Sequence, residues 1–421
     1  MSEEQKQESS LSKPEAKAVP FTVVVLGLAS LLTDVSTEMI HAVLPNFMST
    51  VLKIGFAEIG FIEGLAETVA SLLKIFSGAL SDRIGKRKGL LLVGYGLSAL
   101  VKPLFLLADS AAIVLAARAA DRVGKGIRGA PRDALVADVT TSANRGRAYG
   151  LRQSLDTTGA VIGPMVALLV MWYTSSNYQI TFALAIIPAV LVLFLLYFGV
   201  KEPSQTRPLS QDKIFSFKNL EKLKSDMPPQ FFGLVAVVLL FSLANSSDAF
   251  LILRARDCGL PIALCPLVLV AINISYALSA YPAGIVSDKI GHGPMLCFSF
   301  VLYAAVYAGF AVLGAGSGSA LPMLLLCLVY GLHLGFSQGV LSALVSHLIP
   351  THLRGTAFGI INFAVGLALL PASLLTGYLY EHWGALYAFS TCAVLASIAA
   401  LCLAFQLPGL SKVNLTKNND L

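Results

Sequence analysis

The side chains able to do chemistry in this sequence stand out because most of what surrounds them is apolar. Asp34, Glu38 and His41 fall four and three residues apart, so a helix puts all three on one face. Glu63, Glu67 and Lys74 make a similar stripe, and Lys102 stands beside Pro103. Arg118, Asp121, Arg122, Lys125 and Arg128 crowd one stretch, while Arg152 and Asp156 share a face with Gly159 and Gly163. Groups of this kind can handle protons, because a carboxylate beside an arginine stays ionised and one parted from it takes up a proton more readily. Asp34, Glu38 and Glu67 are the acids suited to that part and Arg122 is the arginine. The sequence makes no choice among the three. Lys102, Arg118, Arg122 and Lys125 form a cationic set suited to an anionic ligand, whereas Asp34 and Glu38 would suit a cationic one.

The second half of the chain offers mainly neutral hydrogen-bonding groups. Asn245 and Asp248 bracket two serines, and Asn273, Tyr276, His333, Gln338 and Asn362 follow singly in apolar runs. With His41 they complete the candidate ligand contacts. Each charged or polar group also has a plainer reading. Arg128, Arg132, Asp133, Asp138 and Arg152 lie near segment ends, where long side chains reach water. Glu63 and Lys53 read as outer-surface groups, and His333 could simply bond a neighbouring helix. A purely structural ion-pair network is the plain alternative for Asp34, Glu67, Arg118, Arg122 and Lys125.

The elements that must position these groups are membrane-spanning helices. Of 421 residues, 56% are hydrophobic and only 13% charged, against about 25% charged in soluble domains, so a set of soluble domains and a disordered chain are both excluded. Spanning takes roughly 20 mostly apolar residues. Twelve segments meet that need, near 20–47, 56–80, 89–108, 111–137, 147–173, 177–199, 230–254, 261–286, 294–315, 319–347, 355–380 and 384–408. The fourth is the weakest, because its second half is full of charge. Basic residues fix the orientation. Lys6, Lys13, Lys17, Arg83, Lys86, Arg87, Lys88, Arg145, Arg147, Lys289, Arg354, Lys412, Lys417 and the lysines and arginine of 201–229 fall on one side. Lys53, Arg254 and Arg256 fall on the other. Both termini are therefore expected in the cytosol, and the net charge of +6 reflects topology rather than nucleic-acid binding.

The two halves repeat each other. Gly78-Ala-Leu-Ser-Asp82-Arg83-Ile-Gly85 returns as Gly284-Ile-Val-Ser-Asp288-Lys289-Ile-Gly291, and Ala134-Leu-Val136 with Arg145-Gly-Arg-Ala148 returns as Ala343-Leu-Val345 with Arg354-Gly-Thr-Ala357. The expected layout is a tail at 1–18, a six-helix bundle at 19–200, a linker at 201–229, a second bundle at 230–408 and a tail at 409–421. Duplicated bundles of this kind are a transporter signature, with the ligand held near the midplane between halves.

The loop Gly78-x-x-x-Asp82-Arg83-x-Gly85-x-Arg87-Lys88 resembles the helix 2–3 signature of the major facilitator superfamily at every position. The Gly284 copy is similar to its degenerate second form. Arg122-x-x-Lys125-Gly126 is similar to the superfamily's R-x-x-Q-G motif with Lys for Gln. Gly159-x-x-x-Gly163-Pro164 resembles the core of the motif of proton-driven exporters, although Ala167 and Leu168 replace its trailing glycines. The resemblance implies an all-α fold of twelve helices in two six-helix bundles, working as a monomer. It implies that Asp82 clamps the helix starting near Arg354, and that Asp288 does the same against the Gly159 helix. Arg83, Arg87 and Lys88 could instead anchor to anionic lipid.

No enzyme is expected: H-E-x-x-H and a P-loop are missing, and Gly124-Lys-Gly126 is too short for a nucleotide loop. The six cysteines make no C-x-x-C pair, so no metal, cofactor or disulfide framework is expected. The expected activity is secondary active transport in the inner membrane, by alternating access with proton coupling. Its ligand would be an organic anion or siderophore-like metabolite, with efflux by antiport favoured by the Gly159 motif. Proton-coupled uptake of an organic acid and export of cationic drugs are the alternatives, and a non-transporting membrane sensor is the rival class.

Overall fold

A computed structural model of the chain describes residues 19–84, 87–200, 227–350 and 353–418, and they are helical throughout with no strand among them. The helices are α1 (Phe21–His41), α2 (Leu44–Thr50), α3 (Phe56–Ile84), α4 (Arg87–Leu106), α5 (Ala111–Asp138), α6 (Ser142–Tyr173) and α7 (Tyr178–Gly199). After the linker come α8 (Pro229–Ala244), α9 (Ala249–Asp257), α10 (Leu267–Ile290), α11 (His292–Val312), α12 (Ala320–Leu348), α13 (Arg354–Trp383) and α14 (Ala385–Asn418). Ten helical stretches among the described residues are long and apolar enough to cross a membrane; α3 and α5 are not among them, although they are 29 and 28 residues long. Those two carry the greatest share of the intramembrane charges, which is why composition alone passes them over. The tail at 1–18 and the linker up to residue 226 lie outside the described residues, as does Gly85.

Breaks in the helices follow from local chemistry. Proline at position 45 has no N–H for the carbonyl of His41, the last residue of α1, and the chain turns there before restarting as α2. Between α8 and α9 the run Asn245-Ser246-Ser247-Asp248 competes for backbone hydrogen bonds, and the helix parts. The Tyr303 hydroxyl donates to the Ala244 carbonyl at 2.7 Å, and the Tyr330 hydroxyl donates to Asp248 at 3.1 Å and to Asn245 at 3.4 Å.

Long helices run alternately between two ends. The connections carrying Arg87, Lys88, Arg145, Arg147, Lys289 and Arg354 share one of them, the basic end; Lys53, Arg254 and Arg256 lie at the other, the far end. Helices before and after the linker meet along two seams, α3 against α13 and, less extensively, α6 against α10. The first is pinned over much of its length. The Thr68 hydroxyl donates to the Gly366 carbonyl at 2.9 Å, Phe56 stacks on Tyr380 at 4.7 Å, and the Ala57 N–H donates to Glu381 Oε2 at 2.8 Å.

Candidate functional site

Between the seams lies a cavity of about 450 Å³. One wall, from α1, α3, α5 and α6, presents Asp34, Glu67, Lys74, Lys125, Arg128, Arg132, Asp133 and Asp156. The other, from α10, α12 and α13, presents Asn273, Tyr276, Gln338 and Asn362. Charge is thus confined to one wall and neutral polarity to the other. Toward the far end the space is shut. Besides the Phe56–Tyr380 and Ala57–Glu381 contacts, the Tyr380 hydroxyl donates to Asp257 at 2.6 Å and Arg256 donates to the Ser49 hydroxyl at 2.6 Å. Toward the basic end the lining continues down α5 to Asp133.

The acids proposed from sequence sit in three different situations. Glu67 forms an ion pair with Arg122 at 2.8 Å, and two further nitrogens of that buried guanidinium, Nε and Nη1, have no hydrogen-bond partner among the described residues. Glu38 lies 3.4 Å from His41 Nδ1. Asp34 lines the cavity with no hydrogen bond or ion pair of its own side chain among the described residues. Lys74 and Lys125 share that state and are exposed to the cavity. A charge that is neither paired nor in bulk water is costly unless water or a ligand reaches it.

Behind the cavity stands a dry set of ion pairs. Arg118 and Glu63 are each 1% exposed at the side chain and hydrogen-bond through two nitrogens to two oxygens. His41 Nε2 lies 3.9 Å from the same Glu63. Lys102 pairs with Asp121 at 3.0 Å and donates to the Thr37 hydroxyl at 3.2 Å. Hence Glu63 is not an outer-surface group, and His41, Lys102 and Arg118 do not line the cavity. Glu63 and Glu67 face Arg118 and Arg122 because both pairs are spaced by four on adjacent helices, and that matched spacing was the available signal. Nearer the basic end Arg152 pairs with Asp156 at 2.6 Å, Arg132 approaches Asp156 at 3.6 Å, and Arg128 donates to Ser98 at 2.6 Å while lying 4.6 Å from the Tyr95 ring centre.

In the second wall, Tyr276 donates to Gln338 Oε1 at 3.1 Å. Asn273 crosses the α6–α10 seam and donates to the Ala160 carbonyl at 2.8 Å. That carbonyl is free because Pro164, four residues on, lacks the N–H that would have bonded it. Gly159 and Gly163 bring α1 close: a Cβ on Gly159 would lie 2.6 Å from the Leu31 carbonyl and one on Gly163 2.8 Å from the Val35 carbonyl, so Asp34 and Glu38 sit directly against α6. His333 is away from the cavity, buried, with Nδ1 2.8 Å from the Ser299 hydroxyl. Asn245 and Asp248 are held by Tyr330 at the helix break and do not line the cavity.

Of the loop signature, Gly78 in α3 faces the Ala130 Cβ of α5, while the side chains of Asp82 and Arg83 lie outside the described residues. Arg87 pairs with Asp138 at 2.7 Å, and Lys88 donates to the Tyr197 and Val200 carbonyls at the end of α7 at 2.8 and 2.7 Å. Both are therefore tied into the protein. Asp288 is largely exposed and lies 3.9 Å from His292 Nε2, and Arg354 Nε is buried without a hydrogen-bond partner among the described residues.

The comparison with known proteins now decides the family. The model of the Major Facilitator Superfamily matches residues 26–372, with a second match over 267–419. The chain belongs to the Major Facilitator Superfamily. It is a multi-pass integral membrane transporter and not an enzyme. It is 33% identical over 389 residues to a protein described as an uncharacterized MFS-type transporter of Methanocaldococcus jannaschii, covering 91% of this chain and 94% of that one. It is 28% identical over 371 residues to a probable 4-methylmuconolactone transporter of Cupriavidus pinatubonensis, covering 84% and 82% of the two chains. The fold is similar to that of the peptide transporter POT in complex with alafosfalin, with a TM-score of 0.78 at 14% identity over 98% of this chain and 99% of that one.

Proposed function

We propose that this facilitator exchanges a small organic anion for protons across the inner membrane, by alternating access between two six-helix halves, residues 19–200 and 230–408. In this reading all twelve segments span, and the linker 201–229 and the tails 1–18 and 409–421 lie in the cytosol. The protein works as a monomer in lipid, and the cavity faces the cytosol. The observation that carries the reading is the pair of free cations, Lys74 and Lys125, in a cavity whose other exposed charges are mostly matched. The lactone transporter among the relatives is in keeping with a small oxygen-rich ligand. Asp34 is the proton carrier: Glu67 is committed to Arg122 and Glu38 to His41, while Asp34 has neither partner nor full solvent. The Gly159-x-x-x-Gly163-Pro164 run on the helix against Asp34 supports antiport with outward movement of the ligand.

Proteoliposomes test this directly. An imposed pH gradient should drive movement of an organic acid, and a protonophore should collapse it. With Asp34→Asn the gradient should lose its effect while counterflow of the ligand persists. Lys125→Ala should weaken anion binding about tenfold, as expected for loss of a charge-assisted contact. Transport indifferent to the gradient removes the coupling, and tighter binding of cationic drugs than of anions reverses the ligand's charge. Uptake down the proton gradient rather than against it turns antiport into symport.

A further inference from the structure

The two seams differ in a way that bears on what the ligand looks like. The α3–α13 seam is packed from the far end as far as Ser71, where a Cβ on Gly366 would lie 2.7 Å from the serine Cβ. The α6–α10 seam is pinned by the Asn273–Ala160 hydrogen bond and parts on the basic-end side of it. The space there, about 580 Å³, is lined by residues 150–162 of α6, including Gly150, Ser154 and Thr158, and by Ala277, Ala280 and Tyr281 of α10. Gln153, Thr157 and Tyr276 border both this gap and the central cavity, so the two spaces adjoin across these three side chains. The outer rim, with Leu278, Tyr281 and Ile162 exposed, is the surface turned to lipid.

The gap's polar groups are largely satisfied from within. Thr157 donates to the Gln153 carbonyl at 3.0 Å, Thr158 to the Ser154 carbonyl at 2.7 Å, and the Gln153 amide oxygen accepts from Arg152 at 3.2 Å. A hydrocarbon chain lying there meets few open donors, those of the Gln153 amide and the Ser154 and Tyr281 hydroxyls. At the inner end the gap reaches a cavity holding the free ammonium groups of Lys74 and Lys125. A mainly apolar slot at the lipid side, next to a cavity that holds unpaired cations, is complementary to a molecule with one anionic head and one apolar tail. We propose that the α6–α10 gap receives the tail of a single-chain anionic amphiphile taken from the surrounding lipid, its head held in the cavity. The proposal rests on the anion reading of that cavity. A fatty-acid carboxylate and a lysophospholipid phosphate share this chemistry.

Binding to the full chain in nanodiscs, read with radiolabelled ligands, separates the cases. Oleate and lysophosphatidate are compared with the tailless heads benzoate and glycerol 3-phosphate, on the original chain and on Ala277→Trp and Ala280→Trp, which fill the gap. The tailed ligands should bind at least about tenfold more tightly than the tailless ones, as burial of several methylenes implies, and the fillings should abolish that advantage while leaving tailless binding unchanged. Ala280→Leu, a smaller filling, should give a partial loss and guards against a misfolded tryptophan variant. Whichever tailed ligand binds more tightly identifies the head group. Fillings without effect, or no advantage for a tail, overturn the proposal while leaving the anion site standing if Lys125→Ala still weakens all four ligands. If Lys125→Ala weakens none of them, the anion site itself is gone and the proposal with it.

Discussion

Among single residues, the contrast between Glu63 and Asp34 is the most informative. Both are carboxylates on long helices of the first bundle, but Glu63 is locked to Arg118 and Asp34 is locked to nothing among the described residues. Removing one partner of a buried pair leaves the other charge uncompensated, at a cost of about 3–5 kcal/mol. Glu63→Gln should therefore lower thermal stability sharply. A paired Glu63→Leu, Arg118→Met change should recover most of it, since no unpaired charge remains. Melting temperatures of the purified variants check this, and a single variant as stable as the original chain would show that solvent reaches Arg118. In the sequence Glu63 shares a stripe with Glu67 and Lys74 but also reads as an outer-surface group, because position along a segment says how deep a residue lies and not which neighbour it faces. His333 illustrates the same limit. Its type invited a ligand role, and the hydroxyl of Ser299, 34 residues earlier, is what it meets. Asp34, Asn273, Tyr276, Gln338 and Asn362 were legible as polar groups in apolar runs; that they line one space depends on how the helices cross.

Helices α6 and α10 meet through a defect that one of them carries. Pro164 frees the Ala160 carbonyl, and Asn273 takes it. Pro164→Ala should restore the intrahelical bond and release Asn273, loosening the seam by about 1 kcal/mol, the net worth of such a bond. Asn273→Ala should do the same by the other route, leaving the carbonyl bare. Because both changes act on one bond, their effects should not add, and a double-mutant cycle on unfolding free energy measures the shortfall. Full additivity would mean that the bond does not tie the two helices. Helix positions themselves were largely legible from apolar run length, the charged α3 and α5 included. The breaks after His41 and Ala244 were not foreseen, although Pro45 and the Asn-Ser-Ser-Asp run signalled them. Contacts at the far end, such as Glu381 on the N-terminus of α3, join residues more than 300 positions apart and left no local trace.

Across the whole molecule, the far-end closure is a small number of identifiable bonds, so its balance can be shifted. Glu381→Gln weakens a charge-assisted contact worth about 1.5–3 kcal/mol. It should move the population toward the conformation closed at the basic end, seen as slower thiol labelling of a Gln338→Cys probe from the basic-end side. Unchanged labelling would mean that the closure is held by other contacts. The wall formed by α10, α12 and α13 has one more consequence. Moving a unit charge through the membrane potential changes energy by about 2.3 kcal/mol per 100 mV. The cavity's ionised groups all belong to α1, α3, α5 and α6, so a rocking movement of the opposite wall displaces dipoles and almost no charge. Reorientation of the empty protein should then be electrically silent, with pre-steady-state currents appearing only when a proton or ligand crosses; a capacitive current without ligand, at a pH that holds Asp34 in one state, would place moving charge in that wall.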